Sequence, residues 1–152
     1  MAKMLEVYGD IWKYKADAKC ITTNGYVRTD GRAVMGRGVA LQATKRYPDI
    51  ALVLGSAIRD NGLHVQILGE TDDDGWLVSF PVKYHWREKA DLELIKDSAL
   101  ELIELTDVQN WNTVVLPKPG CGNGQLHWKD VKSVLKHLLD DRFHIIDYEK
   151  EA

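Results

Sequence analysis

Two glycine-rich stretches hold the residues of this chain whose types and spacing best suit chemistry. The first runs from Asn24 through Gly31, Met35, Gly36, Arg37, Gly38 and Val39; the second is Pro117-Lys118-Pro119-Gly120-Cys121-Gly122-Asn123-Gly124-Gln125. Glycine lets the backbone approach a ligand with no Cβ in the way, and the unpaired N–H groups that open a helix attract anions. Two such loops can grip a diphosphate from both sides. Neither matches a standard nucleotide fingerprint. Gly36-Arg37-Gly38 continues as Val39-Ala40-Leu41, without the third glycine of the dinucleotide motif, and no Gly-Lys-Ser/Thr ends either loop. A single loop of this kind is weak evidence, since turns and caps use glycine for structural reasons. Two at equivalent points of one fold are stronger.

The elements that position these loops are legible in the hydropathy pattern. Short apolar, β-branched runs recur at residues 4–8, 20–23, 64–68, 76–80, 113–116 and 143–146, each the length of a strand. Helical spacing marks Leu92, Ile95, Ala99, Leu102 and Ile103, and again Trp128, Val131, Leu135, Leu138 and Leu139. A further helix is expected from about Gly38 to Arg46, stopped by Pro48, and another from Asp49 through Arg59, ended at Asn61-Gly62. Strands alternating with helices predict an α/β layer fold with helices on both faces of a mainly parallel or mixed sheet. Ligands of such folds gather at the carboxyl ends of the strands, where both glycine loops fall.

At 152 residues the chain is expected to form one domain, 1–152, long enough to bury roughly two-thirds of its unfolded surface. No apolar run approaches the roughly 20 residues of a membrane span, and no secretory signal pattern opens the sequence, so a cytoplasmic, monomeric protein is expected. Two cysteines, Cys20 and Cys121, are too few for a disulfide framework, and the five histidines lack metal-ligand spacing. No metal and no cofactor are expected. The net charge of -3 argues against indiscriminate nucleic-acid binding. The charge is unevenly distributed, however: Arg28, Arg32, Arg37, Lys45 and Arg46 are joined by a single acid, Asp30, and Lys83, Arg87 and Lys89 by Glu88.

The order of motifs carries a resemblance. Gly9-Asp10-Ile11 follows the first strand and Asn24 the second. Then come Met35 to Gln42, Phe80-Pro81-Val82-Lys83-Tyr84-His85-Trp86-Arg87, and Leu116 to Trp128. Nearly the whole chain resembles a macrodomain, in the branch of the DarG-type DNA ADP-ribosyl glycohydrolases and the terminal ADP-ribose protein glycohydrolase. The resemblance implies a three-layer α/β/α fold with a mixed, mainly parallel sheet that binds ADP-ribose. It assigns Asp10 to the adenine amino group, with Ile11 beside it, and Asn24 to the distal ribose. Read locally, Asp10 is equally a turn or helix cap and Asn24-Gly25 a turn. The backbones of Gly36, Gly38 and Val39, with those of Gly120, Cys121, Gly122, Asn123 and Gly124, would wrap the pyrophosphate and distal ribose. Met35 and Pro117 flank them. Arg37 is expected to face solvent. Cys121 reads as a small residue fitting a tight loop or as a reactive thiol. Tyr148 reads as an adenine-stacking ring or as one packed on the sheet.

By the same resemblance Lys83 is the catalytic residue. An amine can attack or protonate at the anomeric carbon if burial or neighbouring cations depress its pKa, and His85 is the candidate to share proton transfer. The implied activity is release of ADP-ribose from a macromolecule. DNA is favoured over protein because Asn123 stands where the protein-directed branch carries an aspartate. A non-catalytic ADP-ribose reader and an ADP-ribose 1″-phosphate phosphatase are the alternatives, and a cognate ADP-ribosyltransferase is the implied partner. Ile21, the segment from Tyr26 to Arg32 and Gln125 depart from the family pattern.

Overall fold

The computed structural model describes residues 2–148. Six strands form one sheet: β1 (Leu5–Tyr8), β2 (Ala18–Asn24), β3 (Gln66–Glu70), β4 (Trp76–Lys83), β5 (Val114–Pro117) and β6 (Phe143–Asp147), in the order β1-β6-β5-β2-β4-β3. All neighbours are parallel except β3, which pairs antiparallel with β4. Four helices cover the sheet: α1 (Gly38–Arg46), α2 (Ile50–Asn61), α3 (Leu92–Gln109) and α4 (Trp128–Leu135). Among the described residues no helix is long and apolar enough to cross a membrane.

Alternation along the strands explains the three layers. Successive strand residues face opposite sides of a sheet. On one side Ala18, Cys20, Val78, Phe80, Val114, Leu116, Phe143 and Ile145 pack with Ile95, Ala99 and Leu102 of α3 and with Val131 and Leu135 of α4. On the other, Ile21 and Leu77 pack under Ala40 and Ala43 of α1 and under Ile50 and Leu54 of α2. Asp91 opens α3 by accepting from the Leu94 N–H at 3.0 Å, and Asn110 closes it in the left-handed region at φ 57°. The predicted helix over 128–139 ends sooner than its spacing suggests: Leu138 lies in the turn after α4 and Leu139 just beyond that turn, and both still cover the core.

Proline does not break β4. Pro81 lies past the last residue paired with β3, opposite Thr23, and the register with β2 shifts immediately after it, between Thr23 and Asn24. A proline has no N–H for a ladder, so strands admit it at free edges and bulges. The irregularity brings Asn24 level with Lys83 at the carboxyl end of the sheet. The departing segment from Tyr26 to Arg32 lies in a small hairpin, closed by the Val27–Ala33 bridge and tied to α2 by the Ala33 N–H donating to the Ala51 carbonyl at 2.9 Å.

Candidate functional site

Because five of the six strands run parallel, the segments following β1, β2, β4, β5 and β6 emerge along one edge of the sheet. Two adjoining hollows lie there, of about 600 and 610 Å³. Gly38, Val39, Pro117, Lys118, Cys121 and Gly122 line both, so they form one continuous cleft. The first hollow takes in Thr22, Thr23, Asn24, Gly36, Arg37, Lys83, Gly120, Asn123 and Gly124. The second takes in Asp10, Ile11, Gln42, His127, Trp128, Asp147 and Tyr148.

Glycine backbone opens the middle of the cleft, beside Val39, Pro117, Lys118 and Cys121. Gly38 and Gly122 hold positive φ angles of 61° and 69°, and a Cβ built on either would meet no atom within 4 Å. These glycines therefore answer to conformation and to open space for a ligand, not to packing. The two loops face each other across that space, since a Cβ on Gly36 would lie 3.8 Å from the Asn123 amide nitrogen. Gly120 differs, because a Cβ there would press within 2.7 Å of Ile95 Cδ1.

Lys83 ends β4 and opens into the first hollow, only 7% exposed. Its Nζ donates to the Trp86 carbonyl at 3.1 Å, and burial lowers its pKa below the ordinary lysine value. Neighbouring cations are not the cause; desolvation alone depresses it. His85 is not brought to the cleft with it. Its Nδ1 accepts from the Arg87 N–H at 3.1 Å and its ring packs on Tyr26 and Trp86, so the expected proton-sharing partner lies outside the cleft lining.

Asn24 lines the first hollow while its amide holds the hairpin: Oδ1 accepts from the Tyr26 N–H and Nδ2 donates to the Val34 carbonyl, both at 3.0 Å. One Nδ2 hydrogen and an Oδ1 lone pair remain by valence. Asp10 likewise does structural work, accepting from the Trp12 N–H at 3.0 Å to cap the short 3-10 turn Ile11–Lys13, and lines the second hollow. Ile11 is buried there beside the exposed ring of Tyr148. Met35 does not line the cleft; its side chain is buried in the core under α1. Arg37 is exposed at the start of α1, and the Cys121 thiol lies 3.8 Å from the Pro119 carbonyl, inside a tight loop.

Two further residues belong to the site. Thr23 carries the one buried side-chain oxygen or nitrogen among the described residues that has no hydrogen-bond partner, and it lines the first hollow beside Asn24. The polar pair Thr22-Thr23 at the end of an apolar strand was the available signal. Lys118 stands at the seam of the two hollows, paired with Asp147 at 2.9 Å and set 5.3 Å from the centre of the Trp128 ring. Trp128 in turn donates its indole N–H to Glu6 at 2.9 Å.

The sequence pattern of the Macro domain family matches residues 28–135, most of the chain, with the second glycine loop and the first from Arg28 onward. The chain belongs to the macrodomain family. A protein of Mycobacterium tuberculosis named DNA ADP-ribosyl glycohydrolase is 30% identical over 132 residues, which cover 84% of this chain and 36% of that one. This macrodomain thus spans about a third of the length of the curated relatives it matches. The solved macrodomain of M. tuberculosis DarG superposes with a TM-score of 0.77 at 29% identity, covering 96% of this chain and 99% of its own. A Thermosipho africanus protein named as a fusion of DNA ADP-ribosyl transferase and DNA ADP-ribosyl glycohydrolase is 23% identical over 126 residues, 70% of this chain and 32% of the relative.

Proposed function

We propose that this macrodomain binds ADP-ribose along the cleft and releases it from a modified macromolecule, DNA before protein, with Lys83 acting at the anomeric carbon. The observation that carries the reading is a buried lysine at a cleft whose middle is opened by glycine backbone. Adenine lies in the second hollow, accepted by Asp10 and stacked on Tyr148. The diphosphate passes between Gly36–Val39 and Gly120–Gly124, with Lys118 above the seam. The distal ribose reaches Asn24 and Lys83 in the first hollow. An amine whose charged form is disfavoured by burial uses its lone pair on the anomeric carbon as the glycosidic bond breaks, the proton freed by the new C–N bond passes to the departing group, and water then cleaves that C–N bond to give free ADP-ribose and the amine. The cleft makes the encounter intramolecular, and no second proton carrier is assigned.

The names of the relatives support DNA as the carrier, as does Asn123 in place of an aspartate. The fusion relative supports a cognate ADP-ribosyltransferase as partner. Incubating ADP-ribosylated oligonucleotide and ADP-ribosylated protein with wild type and Lys83→Ala tests the reading. Release from the oligonucleotide by wild type alone is expected, with ADP-ribose affinity retained by the variant. Equal release by both proteins removes Lys83 from the chemistry, and none by either leaves a reader.

A further inference from the structure

Beside Lys83, outside the cleft, lies an exposed column of rings with no role in the reading above. Tyr26 of the hairpin meets the His85 ring edge-on, with centroids 4.8 Å apart. His85 stacks on Trp86 at 5.6 Å with planes 27° apart, and the Arg87 guanidinium sits 4.7 Å from the Trp86 centroid. Tyr26 and Trp86 are each 40% exposed and neighbouring Tyr84 is 55% exposed. Scattered exposed aromatics are ordinary, but a contiguous group at the mouth of a site marks an interaction surface.

The column is fastened to the site from two directions. The Trp86 carbonyl holds the Lys83 ammonium at 3.1 Å, and the Tyr84 carbonyl accepts from the Gly25 N–H, also at 3.1 Å, next to Asn24. Cations frame it. Arg87 and Lys89 follow in the same segment, Arg28 and Arg32 lie in the hairpin, and Arg59 of α2 donates to the Arg28 carbonyl at 3.0 Å. The acids of the same stretches are Asp30, already paired with Arg32 at 3.3 Å, Asp60 and Glu88. The segments that carry these rings are thus net positive in a chain of net charge -3.

We infer that this column is a stacking subsite for an unpaired base of a single-stranded nucleic acid, one that flanks the ADP-ribosylated nucleotide. The inference rests on the reading of a DNA substrate and deepens it. A ring column with the Arg87 guanidinium against its Trp86 ring suits the face of a base, whatever its identity, and the arginines of the same segments suit the phosphates. A base in a duplex has both faces covered, so the strand must be single or locally open. The base takes the place of Arg87 against Trp86, and the displaced guanidinium turns to the adjacent phosphate. A protein partner would be served by the same residue types, but it gives no reason for a stacked column tied to the residue at the anomeric carbon.

The test compares KM on an ADP-ribosylated oligonucleotide with KM on an ADP-ribosylated mononucleotide, for wild type, Trp86→Ala, Trp86→Phe and Tyr26→Ala. Wild type is expected to favour the oligonucleotide. Trp86→Ala should raise KM for the oligonucleotide by about tenfold, the order of one lost base stack, and Trp86→Phe should restore most of it. KM for the mononucleotide and the affinity for free ADP-ribose should stay unchanged. Should Trp86→Ala disturb Lys83 and lower turnover on both substrates, Tyr26→Ala, outside the 83–86 segment, must still raise KM for the oligonucleotide alone. Equal wild-type KM on both substrates, or an oligonucleotide KM insensitive to both rings, overturns the column while leaving the DNA reading intact. Release from protein with none from either nucleotide substrate overturns the DNA reading itself.

Discussion

Lys83 reaches the cleft as a buried amine, which fixes the direction of its pH dependence. Burial favours the neutral form, so the proton leaves at a lower pH than it would from a solvated lysine, whose pKa is about 10.4. In the proposed reaction the lone pair is the reactive feature. Single-turnover release of ADP-ribose should therefore climb with pH and level off below that ordinary value; a profile flat from pH 6 to 9 would show that the amine does not titrate in the step. Thr23 makes a second residue-scale case. A buried hydroxyl without a partner costs stability, and removing it recovers that cost. Thr23→Val should accordingly leave the melting temperature equal or higher. Thermal unfolding measures this, and a clear fall would mean that the hydroxyl is hydrogen-bonded. Asp10 and Asn24 show why residue type alone left their roles open. A short polar side chain before a turn caps or pins the turn whether or not a ligand is near, and both do so here.

At the scale of elements, the hairpin that carries Tyr26 depends on one missing methyl group. Gly55 of α2 lies so close under the hairpin that an added Cβ would fall 1.9 Å from the Gly31 carbonyl oxygen, which cannot yield as a flexible side-chain end would. Gly55→Ala should cost about 1–3 kcal/mol of stability despite its better helix propensity, and should displace the hairpin from α2. Urea unfolding reads the first effect and Tyr26 side-chain NMR shifts the second. A neutral or stabilising result would mean that the hairpin does not rest on α2. The elements were largely legible beforehand because periodicity reports burial directly: strands buried on both faces read as continuous apolar runs, and α3 reads by its spacing. What remained hidden depends on contacts between distant segments. Strand β4 runs past Pro81 because β3 has already ended there, a fact of pairing that no local rule contains. Helix α4 stops at Leu135 although Leu138 and Leu139 keep its spacing, since a turn can cover the same core. His85 and Lys83 stand two residues apart, yet ring packing draws the histidine away from the cleft.

The whole molecule is held at one end by a buried charge cluster remote from the cleft. Lys19 and Asp74, 2% and 0% exposed, pair at 3.0 Å, and Asp74 also accepts from Arg46 and from the Tyr47 hydroxyl. Burial pushes the Asp74 carboxyl up, but the hydrogen bonds from Tyr47, Lys19 and Arg46 outweigh it and hold the pKa below the ordinary carboxylate value. Lys132 does the same for Glu6 and Arg142 for Asp140. A carboxyl whose pKa is lower folded than unfolded contributes stability that is present above the unfolded value and lost as pH falls through the folded one. Urea midpoints should therefore hold from pH 7 to about 5 and fall steeply below about pH 4. Asp74→Asn should remove much of that acid dependence and lower stability at pH 7 by about 3–5 kcal/mol, because Lys19 is left buried and unpaired. Little change at pH 7 would show that water reaches Lys19. The cleft divides the labour of recognition unevenly along its length. Side chains stand at its two ends, while at its centre Gly38 and Gly122 present main chain beside Lys118. Contacts made by main chain are nearly silent to side-chain drift, so the ends can be rewritten for a new attached group without disturbing the shape of the centre. The same arrangement makes the two glycines the narrow points through which no such rewriting can pass.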